Sequence, residues 1–149
     1  MTLTPQPDFA PLAGISVLDF SHVIAGPFAT FLLAQLGAQV TKVESAGGGD
    51  VMRRAGKGHA AFVALNAGKS SLALDLSDDA GREHALELAG RCDVFVDNLR
   101  PGVLERFGLC CASATSEPDL MYCCTDAAET KARGIWPPSA SVTAGPPPR

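Results

Sequence analysis

Ile15 to Glu44, ISVLDFSHVIAGPFATFLLAQLGAQVTKVE, decides the fold: a strand-like run, a tight loop, an apolar helix and a second strand-like run follow one another without interruption. Ile15, Val17, Leu18 and Phe20 make an apolar run too short for an independent helix and suited to a parallel strand buried on both faces. Pro27, with its fixed φ and no N–H to satisfy, predicts a helix that starts there. Phe28, Phe31, Leu32, Leu33 and Leu36 spread over more than one side of that helix and predict a core element. Gly37 stands where a left-handed residue ends a helix, and Gln39 to Glu44 resume strand-like alternation. Strand, helix and strand in so short a span are a βαβ unit with a right-handed crossover.

Downstream the pattern repeats. Ser45 to Gly58 is a glycine-rich loop carrying Arg53, Arg54 and Lys57, and such a loop can cradle phosphate on backbone N–H groups. Gly47-Gly48-Gly49 nevertheless meets neither the P-loop nor the G-x-G-x-x-G fingerprint, which argues against an NAD-type dehydrogenase domain. His59 to Leu65 is small and apolar, Asn66 to Ser70 is a turn, and Ser71 to Leu76 alternates as a strand. Ser77 is a good N-cap, and Asp78 and Asp79 put negative charge on the positive end of a helix predicted over Asp78 to Ala89. Gly90 ends that helix and Asp93-Val94-Phe95-Val96 reads as the next buried strand, completing a second βαβ unit. Asp97 to Gly102 follows at that strand's carboxyl end, as Ser21 to Gly26 does after the first strand. In open α/β sheets the ligand crevice lies outside those ends, so the two loops are expected to share one crevice. Val103 to Gly108 starts a short helix.

The chain has 149 residues, 46% hydrophobic and 19% charged, with a formal net charge of −4, which suits one domain with a real core. The acidic balance and the lack of a basic run argue against nucleic acid or an anionic membrane as partner. Val23 to Leu36 is interrupted by Gly26, Pro27, Thr30 and Gln35 and falls short of the ~20 residues a membrane span needs. No positively charged region precedes an apolar one at the start, so the expected location is the cytoplasm. Five cysteines without a signal peptide are read as free thiols, and the adjacent pairs Cys110-Cys111 and Cys123-Cys124 lack the spacing of a structural zinc site. No metal is expected.

Taken in order, PLAGISVLDFSHVIAGPFAT, LGAQVTKVE, GGGD, NAGKSSLALDL and DVFVDNLRPGVLERFGL resemble the family III CoA-transferases, the group that includes formyl-CoA transferase, carnitine CoA-transferases and α-methylacyl-CoA racemase. The resemblance covers roughly Pro11 to Leu109. It implies a Rossmann-like α/β domain with a parallel sheet, preceded by a flexible leader over residues 1–10. It also implies a CoA thioester substrate: relatives move CoA between carboxylic acids through an aspartyl-CoA thioester, or epimerise 2-methylacyl-CoA on the same fold. Residue by residue it assigns Ile24, Ala25, Leu74, Asn98, Leu99 and Arg106 to the CoA groove, with Arg106 meeting a phosphate because a guanidinium forks onto oxygens. Two departures remove positive charge. Ser45 stands where the family often has a basic residue, and Lys69-Ser70 where it usually has two; weaker CoA binding is the expected consequence, at about 1–3 kcal/mol for each lost contact.

Residues read without that context keep plainer roles: Asn98 and Gly102 as turn builders, His22 as a core or loop histidine, Arg53 and Arg54 as solvated charges. Past Leu109 the resemblance decays. Pro118 to Cys123 remains legible as a strand, but the expected S-x-x-G-x-G loop and the attacking aspartate do not follow. Residues 110–149 hold instead a stretch of irregular composition with prolines clustered from Pro137 onward, which reads as a disordered tail of an incomplete, truncated or frame-shifted product. Asp126 and Glu129 are not stand-ins for the nucleophile, and no catalytic residue is assigned. Intact relatives form interlocked homodimers, which this chain is not expected to complete. The alternative from another class is a non-enzymatic α/β module whose Pro137-Pro138 or Pro146-Pro147-Pro148 docks a partner.

Overall fold

The computed structural model describes residues 10–54, 56, 58–100, 102–109 and the backbone of 121–124. Its elements run β1 (Ser16–Asp19), α1 (Ala25–Gln35), β2 (Gln39–Ser45), α2 (Gly58–Leu65), β3 (Ser70–Leu74), α3 (Asp79–Ala89), β4 (Val94–Asp97) and β5 (Met121–Cys124), with short 3-10 helices at Val51–Arg53 and Glu105–Phe107. The five strands form one sheet in the order β3-β2-β1-β4-β5. Every pairing is parallel, with Leu18 opposite Thr41 on one side and Phe95 on the other. The chain therefore runs outward from β1 to β3 and then crosses back to the far side of β1. The strand order reverses between β1 and β4, the kind of point at which open α/β sheets hold ligands.

This is the expected α/β architecture of a parallel sheet with helices on its faces. The second strand–helix–strand unit differs in one respect: β3 and β4 are not neighbours, because β2 and β1 lie between them. The sheet also extends past the expected 11–109 boundary, since β5 falls where the Pro118 to Cys123 fragment reads as a strand. The rest of the expected tail, the leader over residues 1–9 and the cysteine pair Cys110-Cys111 lie outside the described residues.

Period two sends alternate residues of each strand to opposite faces. Leu18, Phe20, Val43, Leu74 and Phe95 pack with Ala85 and Ala89 of α3, and the Phe20 and Phe95 rings stack at 5.1 Å. Val17, Val40 and Val96 pack on the other face, with Ala38 and with Leu33 and Ala34 of α1.

α1 is where the expectation needs most correction. It begins at Ala25, two residues before Pro27, which costs nothing because the first four N–H groups of a helix have no internal partner. It also gives the core only part of its apolar surface, through Leu33 and Ala34. The residues it buries are Gly26, Pro27 and Thr30, while Ile24, Phe28, Leu32 and Leu36 form an i, i+4 strip that is 36–54% exposed. A hydrogen bond from Thr30 Oγ1 to Asp19 Oδ2 at 2.6 Å explains the rotation, since it turns the polar and small residues toward β1. His59 to Leu65, legible in sequence only as a small apolar run, forms α2. Ser77 does not cap α3: it donates its Oγ to Asp75 at 2.6 Å, and Asp78 holds the N-cap position.

Candidate functional site

The loop after β1 is held from below by buried charge. Asp19, fully buried, accepts from the Ser21 N–H at 2.9 Å and the Ser21 hydroxyl at 2.5 Å on one oxygen, and from Thr30 and Lys69 on the other. Burial pushes its carboxyl up, but the Lys69 and Lys42 ammonium groups and the two hydroxyls outweigh that and hold it below the ordinary aspartate range. Lys69 Nζ also reaches the Pro27 carbonyl at 2.9 Å, Thr30 Oγ1 at 2.7 Å and Asn66 Oδ1 at 2.9 Å, and burial lowers its own pKa against the pull of Asp19. Lys42 Nζ donates to the Ser21 carbonyl at 2.6 Å and stands 3.4 Å from Asp50.

From above, the same loop is clamped by two side chains distant in sequence. Asn98 accepts from the His22 N–H and donates to the His22 carbonyl, both at 2.7 Å. Asp50, fully buried, accepts from the Val23 N–H at 3.2 Å. Val23 has φ +68°, an unfavourable conformation for a β-branched residue, and sits between the two clamps. The glycine-rich loop is folded back by Glu44, which accepts from the Asp50 N–H at 3.0 Å, from Ser71 at 2.9 Å, and from Arg53 in a bidentate pair at 2.6 and 2.7 Å. Burial alone raises the Glu44 pKa; these donors overturn it and bring it down to about 2. Arg53, expected from sequence to be a solvated charge, is therefore committed, and its guanidinium also lies 4.1 Å above the Phe62 ring.

Above the carboxyl ends of β1, β2 and β3, on the α3 side, lies a cavity of ≈ 240 Å³ lined by Phe20, His22, Val43, Glu44, Ser45, Leu74, Asp75, Leu76, Ser77, Leu99 and Phe107. Its floor is apolar and its rim carries hydroxyls, carboxylates and one imidazole. His22 is neutral at physiological pH because burial pushes its pKa down and Lys42 adds to that, against the weaker opposing pull of Asp50, Asp19 and Glu44. Its Nδ1 stands 3.8 Å from Asp50.

Of the residues assigned to a CoA groove, Leu74 and Leu99 line this cavity. Asn98 does not line it but fixes the loop that carries His22 into it. Ile24 is 54% exposed, and it and Ala25 stand at the outer end of that loop, where α1 begins. Arg106 is exposed in the 3-10 helix beside Phe107, which does line the cavity. Lys69, counted from sequence among the charges of a polyphosphate site, is buried against Asp19 instead. Sequence reasoning misses Asp19, Lys42, Asp50 and Glu44 as site residues. A signal exists for three of them: VLDF places Asp19, and TKVE places Lys42 and Glu44, inside apolar strand-like runs, whereas Asp50 stands in the glycine-rich loop without one. Among the described residues no group of three or more His, Cys, Asp or Glu is arranged to hold a metal, and no helix is long and apolar enough to cross a membrane. Cys92 is a free thiol whose pKa is pushed up by burial.

Residues 12–132 match the family described as CoA-transferase family III. The chain is 41% identical over 128 residues to mouse succinyl-CoA:glutarate CoA-transferase, covering 80% of this chain and 29% of that protein. It is 44% identical over 102 residues to the formyl-CoA:oxalate CoA-transferase of Bradyrhizobium diazoefficiens, covering 65% of this chain and 24% of the relative. Among solved structures, a hypothetical protein from Mycobacterium tuberculosis superposes with TM-score 0.72 at 38% identity, covering 77% of this chain and 32% of the other. A CAIB/BAIF family protein from Brucella suis superposes with TM-score 0.73 at 35% identity, covering 78% and 33%. The chain thus spans less than a third of the length of these curated relatives.

Proposed function

The chain belongs to CoA-transferase family III, and from that membership we propose that its described domain binds CoA or an acyl-CoA in the cavity above β1, β2 and β3, as the CoA-holding part of an enzyme that moves CoA between carboxylic acids. The observation that carries this reading is the cavity itself, which combines an apolar floor of Phe20, Val43 and Leu74 with polar groups at its rim and opens at the carboxyl ends of parallel strands. The aliphatic and aromatic walls suit the thioester arm or the base of CoA. Leu74 and Leu99 serve as contacts, and Asn98 acts by fixing the His22 backbone. Ile24 and Ala25 meet the ligand where the loop emerges, and Arg106 takes a phosphate at the open side. The nucleophile of the transfer, an aspartate in the family mechanism, is assigned to none of the described residues.

The fit is chemical as well as spatial. A neutral His22 at the rim offers one ring nitrogen as acceptor and one as donor, suited to an amide or a hydroxyl. The resemblance also implies assembly with a second chain, and the exposed strip of Ile24, Phe28, Leu32 and Leu36 is consistent with a surface that such an assembly covers.

Titration calorimetry of the full chain with CoA and with NADH tests the reading. Saturable CoA binding, no NADH binding, and at least about a tenfold loss of CoA affinity in Leu74→Glu with the fold retained are expected, because that change puts a charge on an apolar wall. NADH bound as well as CoA, or CoA affinity untouched by Leu74→Glu, contradicts it.

A further inference from the structure

Asp50 joins three segments of the site. Its N–H donates to Glu44 Oε2 at 3.0 Å, at the carboxyl end of β2, and its Oδ1 accepts from the Met52 N–H at 2.9 Å, closing the first 3-10 turn. Its Oδ2 faces the loop after β1, where it accepts from the Val23 N–H at 3.2 Å and stands 3.4 Å from Lys42 Nζ and 3.8 Å from His22 Nδ1. Gly49 brings it there. With φ +68° and a Cβ position only 2.8 Å from Glu44 Oε2, that residue has no room for a side chain.

His22 is fixed independently of its ring, since Asn98 takes both its N–H and its carbonyl at 2.7 Å. The ring has one side toward a fully buried carboxylate, while the side chain stays 27% exposed and the residue lines the cavity. Which nitrogen carries the proton follows from that contact. A carboxylate oxygen is an acceptor only, so an Nδ1 lone pair turned to Oδ2 is repelled and an Nδ1–H is attracted. The other charges acting on the ring are Lys42 of β2, whose ammonium is taken by the Ser21 carbonyl at 2.6 Å and by Asp50, and the carboxylates of Asp19 and Glu44. Burial and Lys42 keep the imidazole neutral, so a proton on Nδ1 leaves Nε2 with a lone pair.

We propose that Asp50 is a positioning residue that holds His22 as its Nδ1–H tautomer, and that His22 Nε2 accepts a hydrogen bond from an N–H or O–H group of the ligand. The inference rests on the reading that this cavity holds CoA or an acyl-CoA. Such a ligand carries donors in both halves, as amides in the thioester arm and as amino and hydroxyl groups on the nucleoside. A ligand carbonyl or phosphate oxygen placed at Nε2 meets a lone pair and is disfavoured, so His22 selects by hydrogen-bond polarity rather than by charge.

Long-range proton–nitrogen correlation spectra of the full chain, with His22→Gln identifying the His22 signals, test the first half. The ring is expected as the Nδ1–H tautomer without ligand, and Asp50→Asn should shift it toward the Nε2–H form. An Nε2–H ring in the unmodified chain overturns the inference. Titration calorimetry with CoA tests the second half. A Gln amide reaches the place of Nε2 whereas an Asn amide stops near that of Nδ1. His22→Gln should therefore bind CoA within about threefold of the unmodified chain, and His22→Asn roughly tenfold more weakly, a split that a merely structural role does not produce. Equal affinities in the two variants overturn the acceptor role and leave CoA binding standing; an unmodified chain that binds no CoA overturns the CoA reading as well. Phosphopantetheine and adenosine bisphosphate, added separately, should move the Nε2 signal with the half that carries the donor, and movement with neither overturns the inference. Should Asp50→Asn not fold, the tautomer of the unmodified chain still decides.

Discussion

The two faces of the sheet are built on different physics. Under α3, Leu18, Phe20, Val43, Leu74 and Phe95 meet alanines and one another. Under α1 the same strands bury Asp19, Lys42 and Glu44, and Lys69, Asp50 and Thr30 come in from loops and helix to satisfy them. No buried side-chain nitrogen or oxygen among the described residues lacks a partner. An apolar face tolerates small adjustments because its contacts are many and undirected. A charged face does not, because each missing partner leaves a desolvated charge. The consequence for function is a division of labour: the α3 face leaves room for a cavity, and the α1 face fixes the Ser21 to Ile24 loop that forms one wall of it.

Breaking the charged face should have the largest effect. Lys69→Ala leaves Asp19 buried without its nearest cation, and a loss of about 3–5 kcal/mol is expected in chemical denaturation, with lost near-UV signal if the loop is released. On the apolar face, Phe95→Leu should cost only about 1–2 kcal/mol, since a smaller side chain can be partly repacked against Phe20. Equal losses in the two variants would end the contrast.

Acid separates the faces without mutation. Glu44, held at about 2 in the folded protein against 4.5 for the free group, and Asp19, also depressed, contribute stability above the unfolded-state values. That stability is lost as pH falls from about 4.5 toward 2, because the unfolded chain takes up protons that the folded one refuses. Melting temperatures at pH 7, 4.5 and 3 should fall steeply only in the last interval, and Glu44→Gln should flatten that fall.

Two smaller tests address the loop. A Cβ at Gly26 would stand 2.2 Å from Ser21 Cβ, so Gly26→Ala should cost about 1–3 kcal/mol and disturb the loop together with α1. Val23→Gly removes a left-handed β-branched residue and should change stability by no more than about 1 kcal/mol in either direction. If Val23→Gly weakens CoA binding while stability holds, the strained conformation serves the site rather than the fold.

Much of this is legible in the chain. The β1–α1–β2 unit, the extent of α3 and the apolar run of β4 follow from periodicity and terminators, because each is a local pattern. Strand order is not local: nothing in Ser77 to Val96 says that the chain crosses to the far side of β1. The buried side of α1 is misjudged from sequence for a related reason. Its leucines and phenylalanines dominate the pattern, but one hydrogen bond from Thr30 to a buried aspartate turns the helix. Within the site, Leu74 and Leu99, two of the residues that the resemblance assigns to a CoA groove, stand on the cavity wall. Asp19, Lys42 and Glu44 escape notice because a charge inside a strand run reads as an exposed alternation until its partner, for Lys42 the Ser21 carbonyl 21 positions away, is seen.

The claim that matters most is that the cavity above β1, β2 and β3 is where CoA binds. Amide hydrogen exchange of the full chain with and without saturating CoA tests it directly. The account predicts slowed exchange at Ser21 to Val23, Ser45, Asp75 to Ser77 and Leu99 to Phe107, with little change along the outer side of α1. Protection confined to α1, α2 or residues outside these segments, with the cavity edges unaffected, would contradict it.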